Sequence, residues 1–188
     1  MRLSSQARTA TRAAKAQKAA QGEILRGLPP FVPDDPKILI LGSMPSAASL
    51  EAGFYYAHPQ NRFFRIIAAI SGMPAGTIPE RKAALSHLHA ALFDAIAQCR
   101  RIGSMDSAIT GEVPNDIPEF LKDHPSIRVV VTNGGLSRKL VSRQKLPGSV
   151  MLFSLPSTSP ANAAWSLQRL LALYKEAFDA ADALEKKA

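Results

Sequence analysis

Three short apolar runs constrain this chain more than anything else in it: Lys37–Leu41 (KILIL), Ile127–Thr132 (IRVVVT) and Val150–Ser154 (VMLFS). Each is too short for a helix and lacks the polar alternation of a half-exposed strand, so each reads as a strand buried on both faces. Helical patterns separate them. Arg62–Ser71 repeats apolar side chains at helical spacing (Phe63, Phe64, Ile66, Ile67, Ile70) and stops at Gly72 and Pro74. Residues 79–99 carry Leu85, Leu88, Leu92 and Ile96 along one side of a second predicted helix. Asn115–Asp123 reads as a short helix with Pro118 in its first turn, where a missing N–H costs little. Leu136–Val141 reads as a basic helix, and a long closing helix is expected from Ala163 to about Lys186. Strands alternating with helices predict a three-layer α/β/α sandwich around a mostly parallel central sheet.

Ligands of such sheets bind outside the carboxyl ends of the strands. The loops that open at Gly42, Asn133 and Pro156 all follow predicted strands, so they can converge on one crevice. Gly42–Ser46 (GSMPS) offers the backbone of Ser43 and Met44 and the hydroxyl of Ser46, but it lacks the spacing of a P-loop or a dinucleotide fingerprint. By itself it reads as a plain turn, with a base- or phosphate-binding backbone as the alternative. Leu155–Asn162 (LPSTSPAN) stiffens its backbone with two prolines while presenting Ser157, Thr158 and Ser159. Those hydroxyls suit phosphate oxygens, and Leu155 suits a wedge into a base stack. An ST-turn capping the last helix is the competing reading. Asn133 stands in Thr-Asn-Gly-Gly, either as a turn residue or as an amide able to pair with a base edge.

The stretch Gly53–Phe64 (GFYYAHPQNRFF) holds five of the chain's twelve Phe, Tyr and Trp residues together with Asn61 and Arg62. Rings beside a single amide and a guanidinium are either core packing or a pocket for a flat ligand.

The 188 residues suit one domain, residues 28–188, preceded by a basic arm over residues 1–27 that is flexible or helical. The net charge of +8 favours a polyanion such as nucleic acid. Residues 1–22 contain Arg2, Arg8, Arg12, Lys15 and Lys18 and no acid. They read as a DNA-contacting or solubilising arm, a composition shared with mitochondrial transit peptides. No apolar run approaches the roughly 18 residues that span a bilayer, so no membrane partner is expected. Cys99 is the single cysteine, which fits a reducing cytoplasm and an inert thiol. His87 and His89, two residues apart on the predicted helix, face different ways, so neither a metal nor another cofactor is expected.

Gly42–Ser46, the aromatic stretch and Leu155–Asn162, taken together, resemble the uracil-DNA glycosylase superfamily, and most closely its hypoxanthine-DNA (deoxyinosine) glycosylase branch. The resemblance runs from about Lys37 to Leu173 and takes in Val113–Asp116 and Asn133–Gly134. It implies a monomeric, cofactor-free enzyme that acts on double- or single-stranded DNA at a deaminated base. Uracil-acting relatives carry a water-activating Asn or Asp at the position of Met44, and a thioether cannot do that work. The hypoxanthine branch resembles this chain in lacking that residue, and its aromatic-segment Asn falls on Asn61. By resemblance, then, Asn61 is catalytic, Tyr56 stacks on the flipped base, and Ser43, Met44 and Asn133 bind it. Ser46, Arg62, Leu155, Ser157, Thr158 and Ser159 are the expected DNA contacts. Phe64 stands where Trp is usual, a change of packing. The rival readings are a uracil or broad deaminated-base glycosylase, and a catalytically silent nucleic-acid-binding domain.

Overall fold

The computed structural model describes residues 23–185. Residues 1–22 of the expected arm lie outside them. In chain order the strands are β1 (Glu23–Arg26), β2 (Ile38–Gly42), β3 (Ala90–Asp94), β4 (Ile96–Arg101), β5 (Thr110–Pro114), β6 (Val129–Asn133) and β7 (Met151–Leu155). The helices are α1 (Ala47–Ala52), α2 (Phe63–Ser71), α3 (Ile78–His87), α4 (Ile117–Asp123), α5 (Gly135–Val141) and α6 (Leu167–Glu185).

β2, β3, β6 and β7 make the central sheet in the order β3-β2-β6-β7, and every neighbouring pair in it is parallel. Every residue of β2 and β6 is buried, as their continuous apolar runs require. Ile38, Ile40, Val129 and Val131 pack on one face against Phe63, Ile66 and Ile67 of α2, Leu85 of α3, and Leu170 and Tyr174 of α6. Leu39, Leu41 and Val130 face the other way, against Ile117 and Leu121 of α4, Leu140 and Val141 of α5, and Ile96 and Cys99 of β4. The result is the three-layer α/β/α sandwich that the sequence predicts.

Besides the run Val150–Ser154, which is not buried on both faces because β7 lies at the sheet edge with Met151, Leu152 and Ser154 exposed, two readings are corrected. Leu85, Leu88, Leu92 and Ile96 do not share a helix: α3 ends at His87, Leu92 lies on β3 and Ile96 on β4. Four apolar residues at helical spacing mimicked a stripe because an α-helix there runs almost directly into two strands. The second correction concerns residues 23–26, which belong to the expected arm by sequence but form β1, antiparallel to β4. β1, β4 and β5 make a separate antiparallel sheet of order β1-β4-β5. β5 is exposed throughout, so it carries no apolar pattern that would announce it.

The topology fixes where a ligand can sit. After β2 the chain builds β3 on one side of it and later returns to lay β6 on the other. The carboxyl ends of β2 and β6 therefore flank a topological switch point, the usual crevice of an open parallel sheet.

Candidate active site

A cleft of about 320 Å³ opens at that switch point, within the size range of small-ligand sites, roughly 300–1,000 Å³. It is lined by Gly42–Ser46 after β2, Tyr56 and Asn61 from the aromatic stretch, Asn133 at the end of β6, Ser157–Ser159 after β7, and Ser104–Asp106 from the β4–β5 connection. The three loops expected to converge do so.

The aromatic stretch divides its labour. Phe54, Tyr55, Phe63 and Phe64 are buried in the core, and the Tyr55 hydroxyl donates to the carbonyls of Leu28 and Pro29. Tyr56 breaks from them: its φ of 51° is left-handed, a backbone strain of order 1 kcal/mol or more that a bulky residue rarely accepts. That twist lays its ring against Phe63, centroids 4.1 Å apart, and brings it to the cleft wall. Asn61 follows, half-buried, and its Oδ1 accepts the Phe63 backbone N–H at 3.0 Å at the start of α2. The bond fixes the amide while leaving its N–H groups and a second oxygen lone pair for other partners.

Gly42 forms the floor. A Cβ there would sit 2.4 Å from Asp94 Oδ1 and in ordinary contact, 3.4 Å, with the Tyr56 hydroxyl, so a larger residue would displace the Asp94 carboxyl. Asp94 ends β3 opposite Gly42 in register. It is 3% exposed, and its Oδ2 has no hydrogen-bond partner. Burial pushes its carboxyl up to about 7; Arg101 opposes that rise and Asp106 adds to it. The Arg101 guanidinium, also buried, donates to the Pro45 carbonyl and leaves Nε and Nη1 unpartnered. The Tyr56 hydroxyl is buried without a hydrogen bond, and burial, with Asp94 nearby, raises its pKa.

One wall is the segment from Ser157 to Asn162, and it is tightly tied. The Arg62 guanidinium donates to the carbonyls of Thr158 (3.2 Å), Ser159 (2.6 Å), Asn162 (3.0 Å), Ser157 (3.5 Å) and Trp165. Asn133 completes the clasp: its Nδ2 donates to Thr158 Oγ1 at 3.0 Å, and its Oδ1 accepts from the Thr158 N–H at 2.9 Å. Gly134 lets this wall close, because a Cβ there would meet Ser157 Cβ at 3.2 Å and its φ of 113° is itself glycine's.

These contacts change the roles read from sequence. Arg62 spends its guanidinium on backbone carbonyls rather than presenting it to phosphates. Thr158 is fully buried, so Asn133 rather than a strand of nucleic acid holds its hydroxyl, and Asn133 itself has both ends of its amide engaged. Leu155 is 8% exposed and packs in the core, which removes the wedge. Ser157 and Ser159 stay half-buried at the cleft. Their hydroxyls accept the N–H groups of Ser159 and Ala161, the ST-turn geometry of the competing reading. Ser46 caps α1 by accepting the Ser49 N–H at 3.2 Å. Met44 lines the cleft while packing into the core, and Ser43 donates to Asp106 at 2.7 Å.

Sequence reasoning missed Asp94, Ser104, Met105 and Asp106. Asp94 had a signal, a lone carboxylate closing the apolar run Ala90–Asp94. Cys99 is buried, unpaired, and has its thiol pKa raised by burial. No group of three or more metal-ligating side chains occurs among the described residues.

A parallel sheet carrying a polar cleft with an aromatic wall at its switch point defines a nucleobase-sized binding fold, and comparison with known proteins identifies it. The model of the Uracil DNA glycosylase superfamily matches residues 29–181. The chain belongs to that superfamily, and its activity class is that of a DNA glycosylase. It is 33% identical over 150 residues to the Hypoxanthine DNA glycosylase of Methanosarcina acetivorans, covering 78% of this chain and 93% of the relative. It is 35% identical over 112 residues to the Hypoxanthine DNA glycosylase of Methanosarcina barkeri, 58% of this chain and 70% of that one. Among solved structures, the solution NMR structure of a Methanosarcina acetivorans protein described as a uracil DNA glycosylase superposes with a TM-score of 0.71 at 28% identity. That match spans 85% of this chain and 99% of the other.

Proposed function

We propose that the protein is a monofunctional DNA glycosylase that hydrolyses the N-glycosidic bond of a flipped deaminated base, with hypoxanthine as its principal substrate. The observation that carries this reading is the pairing of Asn61 with Tyr56 in one cleft where Met44 supplies only a thioether. The two relatives named Hypoxanthine DNA glycosylase support the same base. A duplex hides its glycosidic carbon, so the nucleotide must first be extruded, at a cost of a few kcal/mol. The base then stacks on the Tyr56 ring, which Phe63 backs. As the C1′–N9 bond lengthens, positive charge builds on the sugar, as in glycoside hydrolysis generally. Asn61, held by the Phe63 N–H, orients a water against C1′. No lysine lines the cleft among the described residues, which favours hydrolysis over Schiff-base lyase chemistry and leaves an abasic site.

The test is single-turnover excision by the wild type across duplexes carrying inosine, uracil or xanthine, with Asn61→Ala beside it. The expected result is fastest release of hypoxanthine, a fall in Asn61→Ala of about 100-fold or more from lost positioning, and little change in DNA affinity. Faster uracil release reassigns the substrate. No release of any base by the wild type removes the enzymatic reading.

A further inference from the structure

The glycosylase reaction needs a proton acceptor that the groups assigned so far do not supply. Water attacking C1′ must lose a proton, Asn61 is a neutral amide that cannot hold one, and Met44 offers a thioether. Among the residues lining the cleft one carboxylate is present, Asp106. It arrives from an element unrelated to any motif in the sequence, the single 3-10 turn Asp106–Ala108 between β4 and β5. The Ser43 hydroxyl donates to its Oδ1 at 2.7 Å, which leaves the other carboxylate oxygen uncommitted. A second bond, from the Ala47 N–H to Ser104 Oγ at 3.0 Å, holds the same connection against the β2–α1 loop. The carboxylate is therefore oriented at the lip of the cleft, on a different segment from Asn61 and Tyr56.

We propose that Asp106 is a catalytic residue, the general base that takes the proton from the water attacking C1′; the assignment rests on the glycosylase reading above. In the step, the water oxygen bonds to C1′ while the C1′–N9 bond breaks and its electron pair leaves with the base. The water proton passes to the free oxygen of Asp106 and from there to the departing purine anion, directly or by exchange through solvent. Deoxyribose gains a hydroxyl at C1′, and the carboxylate is restored. The same negative charge stabilises the cationic sugar as it forms.

A merely structural Asp106 would act through its bond to Ser43, and two substitutions separate the roles. Asp106→Asn keeps an oxygen that can accept from Ser43 but cannot take the proton. Ser43→Ala breaks the bond and keeps the carboxylate. Single-turnover excision of inosine at saturating enzyme, with affinity for the same duplex, is measured for both. General-base loss is expected to slow Asp106→Asn by about 100-fold or more, with DNA affinity equal or tighter because a negative charge has left the cleft that the polyanion approaches. Loss of one hydrogen bond is expected to slow Ser43→Ala by about tenfold or less. An Asp106→Asn rate within a few-fold of wild type overturns the assignment, as does a Ser43→Ala loss equal to or greater than that of Asp106→Asn. Those outcomes leave the glycosylase reading standing; a wild type that excises no base overturns both.

Discussion

The two walls of the cleft are built on opposite plans. The Ser157–Asn162 wall is bound by Arg62 to five backbone carbonyls and by Asn133 through two buried amide bonds. The Ser104–Asp106 wall is exposed and meets the β2–α1 loop through two hydrogen bonds, Ser43 to Asp106 and Ala47 to Ser104. Polar groups that could have met a ligand are used up in the first wall to hold shape. In the second, the connection is lightly held and its carboxylate stays available. A rigid wall sets the width of the site, and a lightly held one can carry its charge.

On that contrast, the largest effect belongs to Arg62. A planar guanidinium reaches several carbonyls at once, and each charge-assisted bond is worth about 1.5–3 kcal/mol. Arg62→Ala is expected to cost at least about 4 kcal/mol by chemical denaturation, the carbonyls being partly solvated once freed. Arg62→Lys, a point charge with three donors, should recover only part of it. DNA affinity in the folded fraction should change little. A selective loss of affinity with full stability would return Arg62 to the phosphate-gripping role.

Asn133→Ala removes the other half of the clasp and leaves the Thr158 N–H and hydroxyl buried. Two such unsatisfied groups cost about 2–3 kcal/mol. Excision should fall in step with loosening of the wall, visible as faster hydrogen exchange at the Thr158 amide. Unchanged exchange with a large loss of rate would make Asn133 a base-reading residue and break the comparison on this side.

Beneath both walls lies Asp94, which predicts how pH acts. Its folded carboxyl titrates near 7 against an ordinary 3.8, so between those values the folded chain holds a proton that the unfolded chain has released. Stability then falls as pH rises through that window and is level above it. The Asp94 contribution between pH 5 and pH 8 is about 3 kcal/mol, since one proton held only by the folded chain changes stability by about 1.4 kcal/mol for each step of one in pH and is so held over about two steps. Asp94→Asn removes that slope. The absolute level moves as well, because Arg101 loses a nearby counter-charge, so the slope is the diagnostic. A variant that lost as much stability as the wild type between the two pH values would assign the dependence elsewhere.

How much of this was legible in the sequence follows from the same division. β2 and β6 were visible within two residues because strands covered on both faces must be apolar throughout; β7 was visible as an apolar run although it lies at the sheet edge and is largely exposed. Their shared direction placed three loops in one crevice. The antiparallel β1-β4-β5 sheet was not visible, since one side of it faces solvent and its pattern is broken by Arg100, Arg101 and the exposed β5. With it went Asp106, which reaches the cleft only because that sheet exists. Residue types pointed to Asn61, Tyr56 and Asn133. They did not reveal that Arg62 and Asn133 both bind Thr158, because hydrogen bonds between residues 96 and 25 positions apart leave no local trace.

The smallest expected effect tests the lightly held wall. Ser104→Ala deletes the oxygen that accepts the Ala47 N–H, a bond at an exposed position whose loss lets water take over the donor. Its net contribution is about 0.5–1 kcal/mol, so the melting temperature should barely move. The local signature should be clearer: the Ala47 amide should exchange up to about tenfold faster as the connection lifts more often. Excision should fall no more than a few-fold, because the Ser43 hydroxyl still holds the Asp106 carboxylate. If Ser104→Ala instead destabilised the protein as much as Arg62→Ala, the Ser104–Asp106 wall would be as rigid as its opposite, and the difference drawn between them would be lost.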